Sequence, residues 1–164
     1  MTSRPARTPG RPRTADRTPR EETVAASWAS TAAVRGRMQR QPTRDTEPEL
    51  QLRRALHAAG LRYRVDAPPL QGLRRRADVV FRPSKVAVFV DGCFWHGCPE
   101  HGTRTPRANP DYWSEKVRRN RERDVDTDER LRAAGWLPLR LWEHQDLLAA
   151  ASEVAAIVSE RRRG

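Results

Sequence analysis

A run of β-branched and aromatic residues, Val86-Ala87-Val88-Phe89-Val90, empties into Asp91-Gly92-Cys93-Phe94-Trp95-His96-Gly97-Cys98-Pro99-Glu100-His101. Five apolar residues in a row, without alternation, read as a strand buried on both faces, so the chain must build a sheet with something packed on each side. The loop that follows gathers the chain's only two cysteines, two of its four histidines, a Phe-Trp pair and two acids. Chemistry is expected where this strand ends.

Cys93 and Cys98 are followed closely by His101. A borderline-soft ion such as zinc takes thiolate sulfur and imidazole nitrogen in a tetrahedron, and a short loop can deliver three such ligands to one centre. The fourth must come from elsewhere. His144, after the hydrophobic segment that ends in Trp142-Glu143, suits this better than His57, which falls in the middle of an expected helix. A Cys93–Cys98 disulfide or a pair of inert thiols is the alternative. No secretory signal opens the sequence and no apolar stretch is long enough to span a membrane, so a reducing cytoplasm is expected and a disulfide is not. His96 is then left to move a proton near neutral pH, beside aromatics that either bury themselves or stack on bases.

The net charge is +11, and 30 of the 32 basic residues are Arg. Such a balance calls for a polyanion, most simply nucleic acid, whose phosphates a guanidinium grips with two donors. Six Arg against Asp16 place +5 in residues 1–20, leaving +6 for the rest, so both portions are basic.

Residues 1–25 are rich in Pro, Arg, Thr and Ser with almost nothing to bury, and read as a disordered basic tail. Residues 26–45 form an expected DNA-binding arm, with a short basic helix over 28–40 that carries Met38 and stops before Pro42. The folded domain is then expected over 46–164. Thr46-Glu47-Pro48-Glu49 predicts a capping box, opening a helix to Ala59 that Gly60 closes. Leu61–Val65 alternates as a half-buried strand, and Ala77-Asp78-Val79-Val80-Phe81 predicts another, with an acid that needs a cation or donor. Asn109-Pro110 opens the longest helix, to Ala134, whose inner face combines Trp113, Val117 and Leu131 with two unexpected acids, Asp124 and Asp128. Trp136–Leu141 reads as a strand that Pro138 confines to a sheet edge. Asp146–Arg162 reads as an amphipathic helix with Leu147, Leu148, Ala151, Val154, Ala155 and Val158 inward. The order α-β-β-β-α-β-α predicts an α/β fold, a mixed β-sheet flanked by helices with a structural zinc loop, in the outline of restriction-endonuclease-like nucleases.

Several ordered blocks then resemble the very-short-patch mismatch repair endonucleases, the Vsr family. They are Thr43-Arg44-Asp45-Thr46 with Glu49, Ala77-Asp78, Gly92-Cys93-Phe94-Trp95-His96, Tyr112-Trp113 through Asn120 to Arg123-Asp124, and Trp142-Glu143. The resemblance makes residues 46–164 a nuclease domain and implies a magnesium-dependent nick in duplex DNA beside the thymine of a T:G mismatch, of the kind left by 5-methylcytosine deamination. It makes Asp78 the principal magnesium carboxylate, with the main-chain carbonyl of Val90 beside it, and His96 the general base or acid. Asp124 would orient His96, and Glu49 would support the metal or its water. Cys93, Cys98, His101 and His144 match the zinc positions, with Glu100 competing with His101 for the third. Phe94, Trp95 and Trp113 match aromatics that wedge into the duplex, and Met38 lies on the arm entering the opposite groove. The sequence departs from the best-known form in having Val90-Asp91 where that form has Thr-His, which leaves the role of Asp91 open, including that of a second metal carboxylate. The expected partner is mismatched duplex DNA, with DNA repair proteins as further candidates, and the expected state is a monomer in the cytoplasm, associated with the nucleoid. The rival readings are a zinc-stabilised DNA-binding module without catalysis, and a zinc hydrolase, which a closed four-ligand site disfavours.

Overall fold

The computed structural model describes residues 44–102 and 109–164. The expected basic tail, and the DNA-binding arm with Met38 as far as residue 43, lie outside the described residues.

Helix α1, Glu47–Ala58, opens the described chain, with Pro48 in its first turn. Its start differs from the expected capping box. The Thr46 hydroxyl donates to Glu49 Oε1 (2.9 Å), and Glu49 Oε2 accepts from the main-chain N–H of Asp45 (3.0 Å), so Glu49 reaches one residue further back. The following strand also starts later than the alternation predicts. Leu61 donates its N–H to Leu56 O (3.1 Å) to close α1, and β1 covers Arg64–Ala67. Residues that alternate like a strand are here used to end a helix.

Strands β2 (Ala77–Phe81) and β3 (Val86–Asp91) form an antiparallel hairpin with Phe81 opposite Val86 and Val79 opposite Val88. After β3 comes a single turn of helix, α2 (Cys93–His96), which Gly97 ends with a left-handed φ of 64°. A side chain at Gly97 would be strained by that φ and would strike Val117 and Arg121, so glycine is needed here on both counts. Helix α3 (Pro110–Ala133) is the longest, and it returns the chain to β4 (Leu137–Trp142), which lies parallel to β3. Helix α4, Leu147–Arg163, is capped by the Asp146 side chain, which accepts from the N–H groups of Leu148 and Ala149.

The sheet order is β1-β2-β3-β4, which puts β4 and its Pro138 at the edge as expected. One face of the sheet packs Val79, Phe81, Val86 and Val88 against Leu52 and Leu56 of α1 and Ala151, Val154 and Val158 of α4. The opposite face packs Val80, Ala87 and Phe89 against Leu131 of α3 and Trp136. Because β3 is covered on both sides, its run is uniformly apolar. One expected core residue of α4 is misplaced: Leu148 is exposed and Ala150 is buried instead, because the Asp146 cap turns Leu147 and Ala150–Ala151 toward the sheet. Among the described residues no helix is long and apolar enough to cross a membrane.

Candidate active site and metal centre

The hairpin brings the start of β2 and the end of β3 to one end of the sheet. The regular ladder reaches Val79 and Val88, and beyond it Asp78 Oδ2 accepts the N–H of Val90 at 2.7 Å, so a side chain replaces the next main-chain partner. Neither Arg75 nor Arg76 pairs with it, since these are held by Asp126 and Asp66. Burial pushes the Asp78 carboxyl up to about 6, opposed by the Val90 N–H and reinforced by the charges of Glu49 and Asp91. A carboxylate held at such a cost suits a cation-binding or proton-handling group.

That shift carries a prediction. The folded-state pKa lies above the unfolded value, so the favourable contribution of protonated Asp78 is present in acid and is lost as pH rises through about 6. Near neutral pH the ionised group opposes folding. In magnesium-free buffer Asp78→Asn should therefore raise unfolding stability near pH 7 by about 1–3 kcal/mol, with the difference vanishing below about pH 4. Urea unfolding at the two pH values checks this.

Glu49, 5% exposed, faces the same end from α1. Its oxygens are engaged by Arg53 Nη2 (2.7 Å), Asp45 N and Thr46 Oγ1. Its charge still bears on Asp78.

On the other flank, His96 Nδ1 lies 2.6 Å from Asp124 Oδ2, joining α2 to α3. Three donors from α3 fix the loop in place: Asn120 Nδ2 bonds to Trp95 O (2.8 Å), and Arg121 bonds to the carbonyls of His96 and Gly97. Asp91 lies between the two groups, its Oδ1 3.6 Å from His96 Nδ1. Its two oxygens are held by Arg140 Nη1 at 3.0 and 2.9 Å. Asp91 is thus paired with a guanidinium, and its ligand atoms also lie within 4.8 Å of those of His96 and Asp124. Arg140 also contacts Asp124 and Asp128, and so explains why the inner face of α3 carries acids. Sequence reasoning missed Arg140. The sequence offered the two acids Asp124 and Asp128 on a face that should be apolar, but not the strand register that shows which cation meets them.

Beyond His96 lies the second cluster. Ligand atoms of Cys93, Cys98, His101 and His144 all fall within 4.8 Å of one another, and neither cysteine is in a disulfide. A tetrahedral zinc about 2.3 Å from sulfur and about 2.0–2.1 Å from nitrogen sets sulfur–nitrogen separations of roughly 3.6 Å. The separations to Nδ1 of His144 are 3.0 and 3.7 Å, and to Nδ1 of His101 both are 4.0 Å, which bracket that value. The donor set fits a thiophilic ion. Glu100 stands outside the group, its carboxylate 3.5 Å from the far nitrogen of His144. Glu143, just past β4 and with no role assigned from the sequence, accepts the N–H of Cys93 at 2.7 Å and ties that strand end to the start of α2. Burial, with the adjacent Cys98 and Glu143, pushes the Cys93 thiol up to about 11 without a cation.

The aromatic residues gather beside this loop. Phe94 stacks edge-on to Trp95 (5.0 Å) and Trp113 (5.2 Å), Tyr112 packs on Trp113, and the Lys116 ammonium lies 5.1 Å over Trp95. Trp113 is 3% exposed and lies within the cluster, whereas Phe94 and Trp95 are partly open and Tyr112 is exposed.

Residues 30–101 match the family model described as DNA mismatch endonuclease Vsr. The type II nicking enzyme V.NaeI of Lentzea aerocolonigenes is 51% identical over 115 residues, covering 69% of this chain and 67% of that protein. The chain belongs to the Vsr family. The chain is also similar to the type II nicking enzyme V.NmeDIP of Neisseria meningitidis serogroup C, 41% identical over 108 residues, covering 65% of this chain and 71% of that protein. The DNA mismatch endonuclease Vsr of Escherichia coli K12 is 37% identical over 101 residues, covering 62% of this chain and 63% of that protein. For the fold, Vsr membership carries a restriction-endonuclease-like reading of the four-stranded mixed sheet and its helices.

Proposed function

We propose that this Vsr-family protein is a magnesium-dependent DNA endonuclease that nicks one strand of a duplex beside the thymine of a T:G mismatch. The observation that carries the reading is one end of one sheet: a buried carboxylate, Asp78, beside Asp91, which in turn adjoins the His96–Asp124 pair. Asp78 and the main-chain carbonyl of Val90 would hold magnesium, a hard ion suited to oxygen ligands, which neutralises charge on the phosphate. His96 would move the proton. With its Nδ1–H donated to Asp124, the imidazole keeps Nε2 as acceptor and stays in one plane, ready to take a proton or to return it to the leaving oxygen. Glu49 and Arg53 would set the charge around Asp78 from behind. The cluster of Cys93, Cys98, His101 and His144 would hold a structural zinc that keeps His96 and the aromatics in register.

T:G selectivity would come from the aromatic cluster, since a wobble pair stacks poorly and resists insertion less than a matched pair. Phe94 and Trp95 would enter the duplex with Trp113 packed behind them. The abundant Arg would supply the sequence-blind, salt-dependent share of binding. Binding by the parental protein and by Trp95→Ala, on T:G and on matched duplexes, tests this reading. Stacking is worth about 1–3 kcal/mol per base, so Trp95→Ala should lose about that much on the T:G duplex and far less on the matched one. Equal loss on both would contradict it. Trp113→Ala should mainly destabilise the fold, by about 3–5 kcal/mol for a buried Trp.

A further inference from the structure

His96 Nδ1 faces two carboxylates: Asp124 Oδ2 at 2.6 Å and Asp91 Oδ1 at 3.6 Å. One N–H makes one strong bond, so the carboxylate that wins fixes the plane of the ring. The structure also shows what decides between them. Arg140 gives Nη1 to both oxygens of Asp91, reaches Asp124 Oδ1 (3.3 Å) and Asp128 Oδ1 (3.1 Å) with Nη2, and places Nε 3.2 Å from each oxygen of Asp128. The sheet register brings it there: Arg140 pairs with Phe89 across β3–β4, its guanidinium lies 4.7 Å over the Phe89 ring, and alternation puts Asp91 on the same face. A planar fork with five donors can hold three carboxylates apart, which a lysine, as a single point charge, cannot.

We propose that Arg140 is a positioning residue for the acid–base histidine: it keeps Asp91 away from His96 and leaves Asp124 as the sole acceptor of the Nδ1 proton. This rests on the reading of His96 as the proton-transfer group. Without Arg140, the buried Asp91 is stripped of its cation, and the imidazolium or N–H of His96 becomes its nearest partner. The ring then turns from Asp124, and proton transfer suffers while DNA binding does not.

The test measures kcat and KM separately for nicking of a T:G duplex by Arg140→Gln, Arg140→Lys, Asp91→Asn and the Arg140→Gln/Asp91→Asn double variant, alongside unfolding and zinc content. Arg140→Gln should lower kcat roughly 10–100-fold, the usual cost of removing an outer partner that holds a site's direct ligands in place, with KM little changed. Arg140→Lys should stay low. Removing the competing charge should restore activity, so the double variant should be faster than Arg140→Gln and close to Asp91→Asn alone. If Arg140→Gln does not fold, the double variant and Asp91→Asn still supply the decisive pair. A double variant much slower than Asp91→Asn, or an Arg140→Gln protein with parental kcat, would overturn the inference. His96→Ala separates this from the underlying reading: parental nicking by that variant overturns both, whereas an inactive His96→Ala beside a fully active Arg140→Gln overturns the role of Arg140 alone.

Discussion

Asp78→Ala is expected to abolish nicking while leaving binding to a T:G duplex nearly intact. The carboxylate is buried at the start of β2, where its charge is costly and it accepts the Val90 N–H. Removing it takes away the principal magnesium ligand of the proposed site and no contact with DNA, so loss of rate without loss of affinity is the signature. His96→Ala should fall by about 10²–10⁴-fold, the usual contribution of a positioned acid or base, and extra magnesium should not rescue it. Asp124→Asn should resemble a weaker form of His96→Ala, since the imidazole remains but its Nδ1 partner no longer carries charge. Single-turnover nicking alongside equilibrium binding distinguishes these outcomes from general damage.

Cys98→Ala should lose both metal and fold. The side chain is 1% exposed, and its sulfur faces His101 and His144 across the cluster. Structural zinc contributes on the order of 10–16 kcal/mol in small zinc-dependent folds, comparable with the roughly 5–15 kcal/mol that separates most domains from unfolding. Here β3, α2 and β4 meet at that cluster, through Cys93, the Glu143 bond to its N–H and His144, so its loss should reach His96 as well. Metal analysis of reduced, folded protein should return one zinc per chain. Folded protein without zinc would sink the assignment.

Much of this was legible in the sequence because the informative residues have few alternative explanations. The apolar run before Asp91 could hardly be anything but a central strand, and the hairpin joining it to Ala77–Phe81 follows from a four-residue turn. The four candidate zinc ligands are brought together as the spacing suggests, because a short loop limits where Cys98 and His101 can go. Other features depend on register, which local pattern does not encode. Leu61 and Tyr63 alternate like strand residues, yet Leu61 closes α1 and the Tyr63 hydroxyl donates to Arg53 O. Thr46 looks like a helix cap, but its hydroxyl goes to Glu49, which a buried Arg53 has already drawn inward. Arg140 was invisible for the same reason: its role appears only when β4 is laid parallel to β3 and Asp91, Asp124 and Asp128 converge on one guanidinium.

Strand-resolved nicking of a T:G duplex and its matched counterpart, with magnesium or with a magnesium-selective chelator, tests the central claim most directly. One break is expected, beside the mismatched thymine, only in the T:G duplex and only with magnesium. Equal cleavage of the matched duplex, or an undiminished rate without magnesium, would contradict it.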